Sequence, residues 1–312
     1  DFQRWYTQSG TPQVQVQTHY NAAARTLSLQ MQQTWPDTPG QPAASKQPVP
    51  IPLKLALFSH EGRVLSAEQT LWLTAQQQEF VLPQVAEPPV VSLLRDFSAP
   101  VKLHYPQRSA ELQTLLAHDT DPFNRWEAGQ RLAAEVILKL VQSYHEGCEQ
   151  VLDGGLTAGL AACLCDSRLE PLYLSWLLTL PSETYLGSLL PVGDPVSVHS
   201  ARETVLWLLA AHLRTTLLAT YNACAEPGPY RFDAAGMGRR SLKNLCLDYL
   251  LRLYEPSLRQ LALRQFRQAS NMTDQLAALQ SLAHCEGPER EQALAEFYTR
   301  WQTDGLVMDK WF

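Results

Sequence analysis

The spacing of apolar residues changes once along this chain, and the change limits the folds that the chain can adopt. Up to about residue 105 apolar and polar residues alternate, as in PQVQVQ at 12–17, TLSLQMQ at 26–32 and PLKLALF at 52–58. After Pro106 the apolar residues recur at the spacing of an amphipathic helix, about every 3.6 residues. The sequence therefore predicts a β region followed by an all-α region.

The β region contains enough short strands for a two-layered sandwich. Further strand candidates lie at 79–85, 89–97 and 101–105, separated by turn-rich segments such as SHEGR and AEPP. Roughly seven short strands in about a hundred residues is typical of an immunoglobulin-like or fibronectin-like sandwich. The proline-rich segment 36–50 cannot support a ladder, so we predict a long, solvated hairpin loop there.

The α region is predicted to be an array of stacked helices. Residues 242–253 carry six apolar side chains on one stripe, with Lys243, Asn244, Asp248 and Arg252 on the opposite face. Similar apolar stripes occur at 125–144, 169–180, 201–221 and 272–283. Successive helices without intervening strands favour an irregular armadillo-like or HEAT-like superhelical array, although no fixed-period repeat is present.

Local signals predict where some helices begin and end. Asp194 followed by Pro195 is typical of an N-cap and a first helical residue. Asn271 through Asp274 resembles a capping box in which Asp replaces the usual Glu. Gly305 fits a C-terminal cap.

Composition excludes several classes of partner. The chain has 312 residues, of which 45% are hydrophobic, so it can bury the cores of two ordinary domains. Its net charge of −6 and its dispersed basic residues give no electrostatic footprint for nucleic acid or an anionic membrane surface. No apolar run approaches the roughly 18 residues of a membrane span. We expect no nucleic-acid or membrane partner and a cytoplasmic location.

The cysteines predict a reducing environment. They lie mostly within apolar, helical patterns such as LAACLCDS, which favours buried thiols over a disulfide framework. The six positions are Cys148, Cys163, Cys165, Cys224, Cys246 and Cys285.

The motif of a zinc peptidase helix is absent. Such a helix carries two histidines four residues apart with a glutamate between them, because that spacing brings both imidazoles to one metal. SHEGR and YHEGC carry the first two letters, but the residue four positions after His60 is Val64, and four positions after His145 is Glu149. We interpret both histidines as loop or helix-end residues.

Two cysteine arrangements resemble reactive sites but are better explained as structural. Cys163 and Cys165 point to different faces of a helix, and no second pair stands at zinc-site spacing. His284 and Cys285 are sequence neighbours without a third group to orient them. The chain also contains no phosphate-binding loop, dinucleotide fingerprint or GxSxG elbow.

The last candidate functional residues are a small basic cluster and several tryptophans. Arg239, Arg240 and Lys243 are too few to indicate a phosphate partner, so we expect a solvated helix face. The tryptophans on apolar helical stripes are predicted to anchor the core. They are Trp126, Trp176, Trp207 and Trp301.

Several long segments resemble one family. FQRWYTQSGTPQVQV, KQPVPIPLKLALFS, LLRDFSAPVKLHY, DPFNRWEAGQRL, LLTLPSE, SLKNLCLDYL, NMTDQLAAL and GLVMDKWF occur in this order. Together they are similar to the bacterial aminopeptidase N, or alanyl aminopeptidase, family of zinc gluzincin peptidases, over essentially the whole chain.

The resemblance implies a domain layout. Residues 1–10 are similar to the tail of a catalytic domain, 11–105 to an immunoglobulin-like sandwich, and 106–312 to a helical superhelical domain truncated at its C-terminus. The first methionine is Met31, and both ends fall within recognisable elements. We therefore expect a C-terminal portion of a longer polypeptide.

The resemblance also implies a function for the intact family enzyme, which removes N-terminal residues from peptides. There zinc polarises the scissile carbonyl and a glutamate acts on the bound water. The family's zinc helix precedes the matched region, and its cavity-facing basic residues follow Phe312. No catalytic or metal-binding residue can be assigned to any position, and substrate-binding residues are unknown. Zinc is expected in the parent enzyme and no cofactor in this chain.

The expected role of this chain is structural, with the sandwich as a spacer and the helical array as a wall over the active site. Its expected partners are the N-terminal and catalytic domains of the same chain, together with peptide substrates of the parent enzyme. The alternative is a stand-alone protein-interaction scaffold, in which the sandwich and the helical solenoid bind a protein partner along the concave surface. An upstream reading frame containing HExxH favours the peptidase.

Overall fold

A computed structural model describes residues 1–147, 154–225 and 230–311 of the chain. The chain divides into two compact units, Asp1–Leu132 and Ala133–Phe312. The predicted domain boundaries at 10/11 and 105/106 stay predictions.

Seven strands in the first unit form two sheets, as predicted for a sandwich. The four-stranded sheet has the order β5-β2-β1-β7 and the three-stranded sheet the order β4-β3-β6. All pairings are antiparallel except that of β1 with β7. The strands are β1 Gln13–Asn21, β2 Thr26–Thr34, β3 Ile51–Phe58, β4 Val64–Leu73, β5 Gln77–Leu82, β6 Val90–Leu93 and β7 Lys102–His104.

Alternation along β1 and β2 gives the sandwich its core. Val16 lies opposite Met31 in the antiparallel register, and both side chains are buried. Their sequence neighbours Gln15, Gln17 and Gln30 are exposed on the other face of the sheet. This burial of alternate residues is what a half-buried antiparallel strand requires.

The prediction of a hairpin loop at 36–50 is wrong. The segment joins β2 to β3, which belong to different sheets, so it crosses between the layers of the sandwich. Buried Gln33 fixes the end of this segment at Val49. The Gln33 side-chain amide donates to the Val49 carbonyl, and the Gln33 side-chain oxygen accepts from the Val49 amide. Lys46 secures the middle by donating to the carbonyl of Pro36.

Near the start of the chain is a short helix, α1, at Arg4–Thr7. Two of its side chains bind the segment that joins β2 to β3. Arg4 donates to the carbonyl of Pro48 at 2.8 Å, and the Trp5 indole donates to the carbonyl of Pro50 at 3.1 Å. These bonds satisfy backbone carbonyls in a proline-rich segment that has no ladder.

The chain turns sharply after β6, in a 3-10 turn at Arg95–Phe97. Leu94, Asp96 and Phe97 adopt positive φ angles of 62°, 55° and 45°. Side chains with a Cβ disfavour this left-handed region, by about 1–3 kcal/mol per residue, so neighbouring contacts must hold the turn. The strand candidate 89–97 is therefore only half as long as predicted.

After β7, the regular elements of the described chain are helices. In order they are α2 Ser109–His118, α3 Pro122–Glu146, α4 Gly154–Cys165, α5 Pro171–Leu178, α6 Glu183–Ser188, α7 Pro195–Ala223, α8 Ala234–Leu251, α9 Pro256–Gln268, α10 Met272–Ala283, α11 Pro288–Trp301 and α12 Gly305–Met308. From α7 to α12 each helix packs against the next one along the chain. None of the described helices combines the length and the apolar character that a membrane crossing requires.

Helix α8 lies at the centre of the second unit. It packs against α5, α7, α9 and α10, and Leu247 and Leu251 outside the predicted stripe are also buried. The face opposite the predicted stripe is also packed, since Lys243 and Asn244 are half-buried and donate to Asp274 of α10.

Two of the three predicted helix ends are confirmed. Asp194 accepts a hydrogen bond from the Ser197 amide at the start of α7, with Pro195 as the first helical residue. Asn271 caps α10 by accepting from the Asp274 amide. The predicted cap at Gly305 is wrong, because this residue begins α12.

Candidate functional site

The two histidines followed by glutamate lie in separate structural contexts. His60 is exposed in the turn after β3, where its backbone carbonyl accepts from the Thr114 hydroxyl. His145 lies in the last turn of α3, with its Nε2 2.8 Å from Asp194 Oδ2. Hydrogen bonds from Ser197 and from His145 lower the pKa of Asp194, which favours its charged form at the start of α7.

The buried cysteines Cys224, Cys246 and Cys285 are poorly suited to nucleophilic chemistry, because burial raises the pKa of each thiol. Cys163 is buried and Cys165 is exposed, so the two thiols point to different sides of α4 as expected. Cys285 is buried beside the carbonyl of Ser281, and burial raises the pKa of its thiol. A raised pKa disfavours the thiolate that nucleophilic chemistry needs. Cys148 lies outside the described residues.

Zinc has no fitting ligand set in the described parts of the chain. Zinc sites use three or four closely placed His, Cys, Asp or Glu ligands. Across residues 1–147, 154–225 and 230–311, no group of three or more such side chains could hold a metal ion. The side chains in these three ranges therefore do not fit a zinc site.

The basic cluster at the start of α8 is not a solvated face, contrary to the prediction. Arg240 is buried, and its guanidinium lies 4.8 Å from the ring centre of Tyr230. Lys243 pairs with the buried Asp274 at 2.5 Å. Local sequence patterns do not indicate these contacts, because Tyr230 and Asp274 belong to other segments of the chain.

The prediction that all four helical tryptophans anchor the core is wrong for two of them. Trp176 on α5 and Trp207 on α7 have exposed fractions of 55% and 45%. Trp126 and Trp301 are partly buried, and Trp301 packs against Phe297 with ring centres 6.4 Å apart. The two exposed indoles are available to contact another molecule.

Charged side chains converge on a cleft of about 340 Å³ in the second unit. Arg252 pairs there with Glu203 and, at 3.4 Å, with Asp248. His199 and His284 also line the cleft. Because Arg252 compensates the two carboxylates, the cleft has the character of an ion-pair network.

The first unit contains a cavity of about 530 Å³, between the end of the sandwich and helices α2 and α3. Its walls are mostly apolar side chains from β6, β7, the turn that follows β6, and the two helices. Leu93, Leu115 and Val101 are buried in these walls. Phe97 and Phe123 also line the cavity but are partly exposed, so they lie near its opening.

Two charged side chains of α3 line the cavity, at positions four residues apart. Arg131 donates to the side-chain oxygen of Gln107 at 2.8 Å and to the carbonyl of Tyr105 at 3.1 Å. The pKa of Glu127 is raised by burial, an effect that the charge of Arg131 partly offsets. This cavity, with apolar walls and few polar groups, has the character of a small-molecule site. Neither residue is among the candidates of the sequence analysis, although their four-residue spacing is a signal that they share one face of a helix.

Comparison with known families shows to which family the chain belongs. A family of domains of unknown function with ARM repeats, DUF3458_C, matches residues 109–312. A second domain of unknown function, DUF3458, with an Ig-like fold, matches residues 10–106. The chain belongs to the DUF3458_C family. These matches confirm the predicted fold class, an immunoglobulin-like sandwich followed by an armadillo-type helical array.

Three curated relatives carry the name Aminopeptidase N. The Escherichia coli protein is 36% identical over 318 residues, and the match covers 100% of this chain and 36% of the relative. The Caulobacter vibrioides protein is 39% identical, covering 99% of this chain and 35% of the relative. The Haemophilus influenzae protein is 32% identical, with corresponding coverages of 100% and 36%.

One solved structure is similar to nearly the whole of this chain. The crystal structure of Legionella pneumophila aminopeptidase A in complex with aspartic acid matches with a TM-score of 0.79 and 28% identity. The match covers 99% of this chain and 36% of that chain. The resemblance to bacterial aminopeptidase N is therefore confirmed, and this DUF3458_C chain spans about a third of the length of its relatives.

Proposed function

We propose that this chain is the non-catalytic C-terminal portion of a zinc-dependent aminopeptidase that removes N-terminal residues from peptides. One observation carries the proposal: relatives named Aminopeptidase N match the chain from end to end, yet the chain spans only 35–36% of their length. In this proposal the sandwich is a spacer, and the helical array is a wall that limits access to the active site.

The chemistry of the described residues supports a non-catalytic role. The part of the chain with described positions has no group that could hold a metal. The described cysteines with resolved pKa shifts have raised values because of burial. We therefore place the zinc and the catalytic groups in the portion of the relatives that this chain does not cover.

The proposed partners follow from this assignment. They are the N-terminal and catalytic domains of the same chain, and the peptide substrates of the whole enzyme. A cytoplasmic location is part of the proposal, supported by the five described cysteines, which form no disulfide with one another.

The test compares zinc content and alanine-anilide hydrolysis in two samples. The first is this chain alone, and the second is this chain mixed with the part of the Escherichia coli relative that it does not match. We expect neither stoichiometric zinc nor hydrolysis in the first sample, and metal-dependent hydrolysis in the second. Chelator-sensitive hydrolysis by the purified chain alone would show that the catalytic groups lie in this chain, contrary to the proposal.

A protein-interaction scaffold is the second candidate, favoured by the exposed indoles of Trp176 and Trp207. Exposed aromatic side chains are enriched at protein interfaces. If this role holds, replacing both tryptophans with serine abolishes capture of a partner that does not belong to an aminopeptidase chain. Capture that survives the double substitution would remove the observation on which this candidate depends.

A further inference from the structure

The cavity of the first unit contains a carboxyl group whose bonding capacity is unused. Among the described residues, none donates a hydrogen bond to the Glu127 carboxyl group, on which only burial and the charge of Arg131 act. Its side chain is half-buried, and burial raises its pKa. A carboxyl group withdrawn from water without a hydrogen-bond donor is costly, so a ligand that brings a donor is stabilised there.

The neighbouring guanidinium is held in a fixed position. Gln107 accepts from Arg131 and itself donates to the carbonyl of Val91 in β6, at 3.1 Å. The second acceptor is the backbone carbonyl of Tyr105. These two bonds use two of the five N–H groups of Arg131, and the others remain able to bind an anion.

Glu127 and Arg131 are one helical turn apart, so they lie on the same face of α3. The cavity between them and the sandwich has about 530 Å³, within the range of about 300–1,000 Å³ that is usual for small-molecule sites. A fitting ligand therefore needs a cation and an anion a short distance apart, together with an apolar group.

We propose that this cavity binds a free α-amino acid with an apolar side chain. The ligand ammonium donates to the Glu127 carboxylate, and the ligand carboxylate accepts from the remaining N–H groups of Arg131. The ligand side chain packs against Leu93, Leu115 and Val101. The proposal depends on the cavity alone and is independent of the peptidase assignment.

The test is calorimetric titration of the 312-residue chain with L-leucine, isoamylamine and N-acetyl-L-leucine. We expect saturable binding of L-leucine, weaker binding of isoamylamine, which lacks the carboxylate, and still weaker binding of N-acetyl-L-leucine, which lacks the ammonium. Equal binding of all three compounds, or no binding of L-leucine, would overturn the proposal.

Two variants locate the binding. Glu127→Gln keeps the shape of the side chain and removes its charge, so we expect L-leucine affinity to fall about ten- to a hundredfold. Glu135→Gln removes the same charge two turns further along α3 and should leave the affinity unchanged. Circular dichroism checks that both variants are folded. Unchanged affinity in folded Glu127→Gln would refute the assigned site.

Discussion

The buried guanidinium of Arg95 is predicted to hold the turn that follows β6. Arg95 donates to Glu68 at 2.9 Å, to Asp119 at 2.5 Å and to Thr120 at 2.8 Å. The side chain of Asp119 is completely buried, whereas that of Arg95 has an exposed fraction of 6%. The arginine therefore joins the sandwich to the segment between α2 and α3 within the first unit.

Arg95→Met is expected to lower the free energy of unfolding by about 3–5 kcal/mol, because it leaves the Asp119 carboxylate buried without its cation. The assay is urea denaturation followed by circular dichroism. Lys54→Met is the matched control: Lys54 pairs with Asp96 in the same turn, but the Asp96 side chain is 75% exposed. The control should show little loss, since exposed ion pairs contribute little to stability.

The effect of Arg95→Met also depends on pH. Desolvation raises the pKa of Asp119 above its ordinary value of 3.8, so the folded state retains the proton more strongly than the unfolded state. Protonated Asp119 therefore contributes its full stabilisation below pH 3.8. This contribution is lost as the pH rises through the pKa of Asp119 in the folded state. Removing Arg95 raises that pKa further, so the destabilisation should be smaller near about pH 4 than at neutral pH.

Two results would refute this reasoning. The first is a loss of stability in Arg95→Met no larger than that in Lys54→Met. The second is an equal loss at both pH values, which would mean that the uncompensated carboxylate of Asp119 is not the cause. Adding Asp119→Asn to Arg95→Met should recover part of the stability, because the amide carries no charge to bury.

Two further predictions concern a glycine and a thiol. Gly62→Ala should destabilise the chain more than Gly40→Ala: both glycines have positive φ, but only the new Cβ at Gly62 would overlap the His118 ring. Gly40→Ala measures the backbone cost alone, about 1–2 kcal/mol, and equal losses in urea denaturation would contradict the predicted contact. Cys165 is exposed, so Cys165→Ser should lower the number of thiols that react rapidly with a disulfide reagent by one. An unchanged number would show that this thiol is shielded.

The candidate cavity could be predicted only in part. The spacing of Glu127 and Arg131 places them on one helix face, which follows from helical geometry alone. The cavity also needs Leu93 from β6 and Val101 before β7, and nothing in the local pattern indicates that these residues meet α3. Contacts of this kind depend on how separate elements pack against each other, so no local window of sequence predicts them.

The errors in the helical region have a related cause. Periodicity identified α8 but assigned it one buried stripe, whereas packing against four other helices buries several of its faces. Arg240 and Lys243 appeared solvated because Tyr230 and Asp274, their partners, are 10 and 31 residues away along the chain. Conversely, Trp207 lies on an apolar stripe and is nevertheless 45% exposed.

The sequence by itself determined the order of the two architectures, because a period of two and a period of about 3.6 are properties of local backbone geometry. It also determined the helix starts at Asp194 and Asn271, where a side chain caps amides only three residues away. Only the tertiary structure decided that segment 36–50 crosses between sheets, that Arg95 meets Asp119, and which charges are buried. These features depend on the free energy of contacts between distant segments, which local patterns do not contain.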